Sequence, residues 1–128
     1  MKFSVCIDAV FYGKDVYESI ELLAKNGIRN IEFWTWWDKD INRLLELKER
    51  YELTYVAFCS KFYSLVDTGE RETYMNGFQE TCETAKKIGC NTIITKPLDK
   101  TGEAYEVQYQ NMRNTLQRCT GIAKKYDI

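Results

Sequence analysis

Short runs of strand-like residues recur along the chain, and each is followed by a longer run with helical spacing. Residues 3–8 alternate apolar and more polar positions, which is the period of two expected of a strand. Further runs are rich in the β-branched and aromatic side chains that favour strands, at residues 30–34, 54–58 and 91–96. The pattern therefore predicts four strands, each leading into a helix.

The predicted helices carry recognisable start and stop signals. Asp15 precedes the first helix as an N-cap, with Glu18 in the capping-box position, and Gly27 ends that helix. The second helix is expected to begin at Asp38 or Asp40. A polar loop over residues 60–69 leads to the third helix, which Gly89 closes. These signals place every helix between two predicted strands.

The last predicted helix is the longest, running from about residue 102 to residue 126. Its apolar positions follow steps of three and four residues throughout: Tyr105, Tyr109, Met112, Leu116, Cys119, Ala123 and Tyr126. Such a stripe resembles a cofactor-binding motif, but it is more typical of a helix packed on a sheet. We expect the whole stripe to belong to the core.

Strand–helix alternation predicts an α/β fold with a parallel sheet, in one domain over residues 1–128. A weak internal repeat relates residues 25–31 to residues 87–93. The helix end Tyr51-Glu52-Leu53 leads into a strand, and Tyr126-Asp127-Ile128 has the same character. We expect a fifth strand to follow Ile128, so that the 128 residues represent four units of a longer fold.

Composition narrows the class of protein. The chain is 45% hydrophobic and 29% charged, without an apolar run of the roughly 18 residues that a membrane span needs. A net charge of -1 gives no basic surplus to neutralise phosphates, which predicts no nucleic-acid partner. Five cysteines without C-x-x-C spacing indicate reduced thiols in a cytoplasmic protein. Histidine is absent, so proton transfer would depend on carboxylates, Lys, Tyr or Cys.

Two segments resemble a known family. Residues 27–33 (Gly-Ile-Arg-Asn-Ile-Glu-Phe) resemble the second strand of the xylose-isomerase-like TIM barrels, and residues 85–93 (Ala-Lys-Lys-Ile-Gly-Cys-Asn-Thr-Ile) resemble the segment leading into their fourth strand. The family includes sugar phosphate isomerases and epimerases, hydroxypyruvate isomerase and endonuclease IV. A complete barrel needs roughly 250 residues, so the resemblance implies a (β/α)4 half-barrel.

The same resemblance locates the expected chemistry outside this chain. In the family, the divalent metal (Mn, Mg or Zn) and the acid–base glutamates lie on strands five to eight. No catalytic residue, metal ligand or cofactor is therefore assigned to residues 1–128. The complete protein is expected to act on a small sugar or hydroxy-ketone, and the endonuclease branch is disfavoured because it relies on several histidines.

This half of the barrel is expected to supply the walls of the substrate pocket. Active sites of TIM barrels lie at the carboxyl ends of the strands, which here are residues 8–12, 34–37, 59–61 and 96–98. The candidate substrate-binding residues are Asp8, Glu32, Trp34, Trp36 and Lys96. The indoles could equally fill the barrel mouth or a subunit contact.

The polar candidates each carry a structural alternative. Asp8 could bind a substrate hydroxyl or cap the following turn. Glu32 is expected on the inward face of strand two, and Lys96, at the end of strand four, is a possible counter-charge. The two could hold a substrate oxygen or form a structural ion pair.

Three functions remain open at this point. The first is the N-terminal half of a sugar isomerase or epimerase, inactive without its other half. The second is a non-catalytic half-barrel that binds a partner or pairs with a second copy to close an eight-stranded barrel. The third is a small doubly wound binding domain, although residues 11–14 make a poor phosphate loop.

Overall fold

The predicted alternation of strands and helices is present in the computed structural model, which describes residues 3–98 and 100–128. The described strands are β1 (Val5–Cys6), β2 (Asn30–Glu32), β3 (Thr54–Cys59) and β4 (Ile93–Ile94). The described helices are α1 (Ile7–Val10), α2 (Val16–Lys25), α3 (Ile41–Tyr51), α4 (Arg71–Ile88) and α5 (Tyr105–Tyr126). A short 3-10 turn, Thr68–Glu70, leads into α4.

The four strands form one parallel sheet in the order β1-β2-β3-β4. A doubly wound sheet reverses its strand order at a switch point, whereas the wall of a TIM barrel adds each new strand to the same edge. The observed order is that of a barrel wall. The predicted (β/α)4 half-barrel is therefore confirmed, and the doubly wound alternative is wrong for the described strands.

Three of the four strands are shorter than predicted. β1 ends at Cys6, where the chain turns into α1, so Asp8 lies on a helix and not at a strand end. β2 ends at Glu32, and β4 is reduced to the two residues that pair with Phe58 and Cys59. The sequence pattern detects β-forming residues but not the partners that complete a ladder.

The helix termini follow the predicted capping chemistry. The Asp15 carboxylate accepts from the backbone amides of Tyr17 and Glu18. Asp40, and not Asp38, caps α3, because its carboxylate accepts from the amides of the second and third helical residues. Gly27 and Gly89 follow α2 and α4 with φ of 83° and 66°, a conformation that favours glycine.

Two hydrophobic clusters hold the helices to the sheet. The first lies between the strands and α2 and α3, and its centre is Phe33, stacked on Phe58 and edge-on to Tyr55. The second joins α4 to α5 through residues that include Tyr74, Phe78, Cys82 and Cys119. All five cysteines are free thiols.

The prediction that the whole α5 stripe is core is wrong at its N-terminal end. Tyr105 is 78% exposed and Tyr109 is 43% exposed, while Met112, Leu116 and the residues after them contact the second cluster. A helix of 22 residues is about 33 Å long, and the longest strand, with six residues, spans only about 20 Å. The first turns of α5 therefore extend past the end of the sheet. No helix in the described ranges is both long and apolar enough to cross a membrane.

Candidate functional site

The candidate site lies at the carboxyl ends of the strands, where the loops after β1 and β2 enclose a cavity of about 260 Å³. Its lining includes Asp8, Phe11, Tyr12, Lys14, Trp34 and Thr35. Two of the predicted site residues, Asp8 and Trp34, are thus brought together. They come from neighbouring strand units that are 26 residues apart in sequence.

Asp8 is held by two partners from the neighbouring unit. Its Oδ2 atom accepts a hydrogen bond from the Trp34 backbone amide at 2.5 Å. Its Oδ1 atom lies 3.2 Å from the Nζ atom of Lys39, whose side chain is only 5% exposed. Asp8 therefore ties the first loop to the second, which is a third role beside the two that the sequence left open. Lys39 had no distinguishing signal in the sequence.

Glu32 and Lys96 do not form the expected ion pair. The alternation predicted for strand two is correct, because Ile31 and Phe33 are buried in the core while Glu32 and Trp34 lie on the opposite face. Glu32 accepts a hydrogen bond from the Ser4 hydroxyl. The Lys96 ammonium instead lies 3.8 Å from the ring centroid of Phe62, in a cation–π contact.

The three indoles of the Trp run take different positions. Trp34 is 45% exposed at the cavity. Trp36 turns towards α4, where its Nε1 atom donates to Thr81 Oγ1 at 3.2 Å. Trp37 is 38% exposed and meets Phe62 edge to face, with ring centroids 5.1 Å apart. The geometry therefore favours Trp37 over Trp36 as a residue of the rim.

Phe62 lies between Trp37 and Lys96, and the three side chains form a row along the rim that the sequence pattern does not indicate. Its ring contacts Trp37 on one side and the Lys96 ammonium on the other. The row brings together two exposed aromatic faces and one exposed cation from three successive loops. A single aromatic residue in a polar loop carries no local sign of such a role, because its neighbours in the row are distant in sequence.

The thiols near the rim are suited to packing and not to reaction. Burial raises the pKa of Cys59, although Lys96 nearby opposes that rise. Burial also raises the pKa of Cys6, with the carboxylates of Asp8 and Glu32 adding to the effect. A thiol with a raised pKa stays protonated near neutral pH and is a weak nucleophile and metal ligand.

The residues at this rim do not fit a divalent metal. Within residues 3–98 and 100–128, no three acidic or thiol side chains converge as metal ligands do. Asp8 already has the Lys39 ammonium beside it, and a second cation there would be repelled. Glu32 accepts its hydrogen bond from the Ser4 hydroxyl.

Several solved structures share this fold. One is an AP endonuclease, family 2, from Brucella melitensis, with a TM-score of 0.90 and 14% identity over 100% of this chain and 53% of the other. The IolI protein with a bound zinc atom has a TM-score of 0.83 and 20% identity, over 100% of this chain and 49% of the other. A xylose isomerase domain-containing protein from Salmonella typhimurium LT2 has a TM-score of 0.75 and 19% identity, over 98% of this chain and 46% of the other.

No protein-family model and no curated protein matches the chain. The chain spans about half the length of the solved structures that it matches. At these identities the likeness establishes the fold. The chain has the fold of the first half of the TIM barrels in these structures.

Proposed function

We propose that this chain is the substrate-pocket half of a metal-dependent sugar or sugar phosphate isomerase or epimerase. The observations that carry the proposal come from the carboxyl rim, where Trp34 borders a cavity and where Trp37, Phe62 and Lys96 form an aromatic and cationic row. The xylose isomerase domain-containing neighbour supports a sugar ligand, and the zinc atom in the IolI neighbour supports a metal in the complete barrel. We further propose that the protein acts in the cytoplasm, on a small molecule and not on nucleic acid.

The rim offers two kinds of contact to such a ligand. The exposed face of Trp34 can stack on the C–H face of a sugar or hydroxy-ketone. The cavity of about 260 Å³ has the size expected for a small ligand of this class. The exposed Lys96 ammonium can hold an anionic group such as a phosphate. Asp8 is engaged by Trp34 and Lys39, so its part is to shape the pocket.

Catalysis itself is not assigned to these residues. The acid–base carboxylates and the divalent metal (Mn, Mg or Zn) of a complete barrel would come from the half that these residues do not include. The chain of 128 residues alone is therefore expected to be inactive with any of these metals. Its own contribution is to bind and orient the substrate.

The coding sequence beyond codon 128 provides the first test. A continuation that encodes strand-end Glu, Asp and His residues supports the proposal, and a stop codon there counts against it. The complete protein should then interconvert aldoses and ketoses when supplied with Mn²⁺, Mg²⁺ or Zn²⁺. Trp34→Ala should raise KM about tenfold, the equivalent of one lost contact. Trp36→Phe is the matched control, because that indole faces α4.

Lys96 is tested separately with a matched ligand pair. The wild-type protein should prefer dihydroxyacetone phosphate to dihydroxyacetone. Lys96→Met should abolish that preference and leave the affinity for the uncharged ketone unchanged. Equal preference in the wild type and the variant would remove Lys96 from the proposed site.

The second candidate is a half-barrel that pairs with a second copy or another partner. It is favoured by a turn that recurs at the ends of α3 and α5. Glu52 and Asp127 both adopt a left-handed conformation, and the amides of Leu53 and Ile128 donate to the carbonyls of Lys48 and Ala123 at 3.0 and 3.2 Å. Two such halves could alternate around a closed barrel. Light scattering on the 128-residue chain decides: a dimer supports this candidate, and a stable, well-folded monomer contradicts it.

A further inference from the structure

We propose that Lys39 is a positioning residue that acts through Asp8 to fix the place of Trp34 at the carboxyl rim. The inference deepens the proposed function, on which it rests for the class of ligand. Its geometric part stands on contacts within the described chain and is testable without any ligand.

Asp8 continues the pairing of β1 with β2 by means of a side chain. The last backbone pair of the two strands joins Cys6 to Glu32. Two residues further along each chain, the backbone of β1 has already turned into α1, and the Asp8 carboxylate accepts the Trp34 amide in its place. On the other side, the Trp34 carbonyl accepts from the Cys59 amide at 3.0 Å. Trp34 is thus held at both backbone polar groups.

Lys39 holds that carboxylate in its place. An ammonium group has three N–H donors, and three acceptor residues surround the Nζ atom of Lys39. These are Asp8 at 3.2 Å, Asp38 at 3.3 Å and Thr35 at 3.1 Å. The Lys39 side chain is 5% exposed, so the group is buried with its donors matched.

The same lysine also shapes the loop that carries the indoles. Thr35 and Asp38 lie on either side of Trp36 and Trp37, and the Thr35 hydroxyl donates to Asp38 at 2.8 Å. Lys39 therefore joins both ends of this loop to Asp8. It does not line the cavity, which means that any effect on a ligand must pass through Asp8 and Trp34.

The test compares Lys39→Met with the double variant Asp8→Asn/Lys39→Met. Methionine keeps the length of the side chain but leaves the partly buried Asp8 carboxylate without its ammonium partner. Asparagine then removes that charge and keeps an oxygen that can accept from the Trp34 amide. We expect Lys39→Met to shift the amide resonance of Trp34 and to increase iodide quenching of tryptophan fluorescence. The double variant should return both measurements towards wild type.

Binding of dihydroxyacetone phosphate supplies the second readout. Lys39→Met should weaken it about tenfold, and the double variant should recover most of that loss. Lys25→Met is the control, because Lys25 forms an exposed pair with Glu21 and should change neither readout. If Lys39→Met does not fold, folding of the double variant with native quenching still supports the proposal.

Two results would overturn it. An unchanged Trp34 resonance in folded Lys39→Met would show that the lysine does not position the indole. A double variant as perturbed as the single one would show that Lys39 contributes packing and not charge. Absence of any sugar or ketone binding, with the Trp34 effects intact, would instead contradict only the proposed function.

Discussion

The ammonium group of Lys48 on α3 donates a hydrogen bond to the backbone carbonyl oxygen of Ile88, the last residue of α4, across 2.5 Å. The last carbonyl groups of a helix lack partners within it and carry partial negative charge, so a cation is favourable there. This contact joins the charged end of the Lys48 side chain on α3 to the C-terminus of α4.

Lys48→Met should therefore destabilise the fold. The substitution keeps most of the apolar contact and removes a hydrogen bond from a charged donor, which is worth about 2 kcal/mol. Urea unfolding followed by circular dichroism measures the change. Lys125→Met, at an exposed position in the last turn of α5, should cost much less. Equal losses would show that the contact with Ile88 contributes nothing.

Gly89→Ala and Gly121→Ala should change stability in opposite directions. Gly89 has φ of 66°, and an added Cβ would lie 2.6 Å from the Lys48 ammonium. Alanine there should cost about 1 to 2 kcal/mol from the left-handed backbone alone. Gly121 lies within α5 with open space around it, so alanine should gain about 0.5 to 1 kcal/mol. Melting temperatures of the two variants test the sign, and a shift in the same direction would contradict this account.

Thr81→Val should loosen Trp36. Thr81 is fully buried, and its hydroxyl accepts from the Trp36 indole and donates to the Gly77 carbonyl. Valine leaves the indole N–H without an acceptor, at a cost of about 1 to 3 kcal/mol. Thr115→Val is the matched control, because that buried hydroxyl donates only to the backbone of its own helix. An unchanged indole proton shift in Thr81→Val would contradict the proposed contact.

Alkaline pH should weaken the packing of α4 against α5. Burial raises the pKa of Tyr74 to about 12 and those of Cys82 and Cys119 to about 11, from ordinary values of 10.0 and 9.0. The unfolded chain therefore releases these protons first, and the stability that they provide is complete below about pH 9 and lost as pH rises towards about 12.

The urea midpoint, measured with reductant present, should fall across that range of pH. Cys82→Ala should make the fall shallower by removing one of the titrating groups, whatever its effect on the midpoint at neutral pH. A midpoint in the wild-type protein that does not depend on pH in this range would contradict the prediction.

Local chemistry accounts for what the sequence predicted well. The caps at Asp15 and Gly89 depend on residues within one helical turn, and both are where they were expected. The opposite faces of Phe33 and Trp34 follow from the alternation of side chains along a strand. Even the repeated turn at Glu52 and Asp127 was visible as a repeated set of residue types.

Long-range pairing accounts for what the sequence missed. Lys39 meets Asp8 across 31 residues, and Trp36 meets Thr81 across 45. Neither pair has a spacing that marks it, so the sequence pattern indicates neither the Thr81 partner of Trp36 nor the role of Lys39. The expected pair of Glu32 and Lys96 failed for the same reason, because Ser4 and Phe62 lie closer.

The sequence by itself determined the alternation of the four strands with the four long helices and the caps at Asp15, Gly27 and Gly89, because these depend on the spacing of residues close together in the chain. Only the tertiary structure decided which side chains meet at the carboxyl rim. The register of the parallel sheet brings loops from four separate units to one edge, and contacts such as that of Asp8 with Lys39 exist only once that edge has formed.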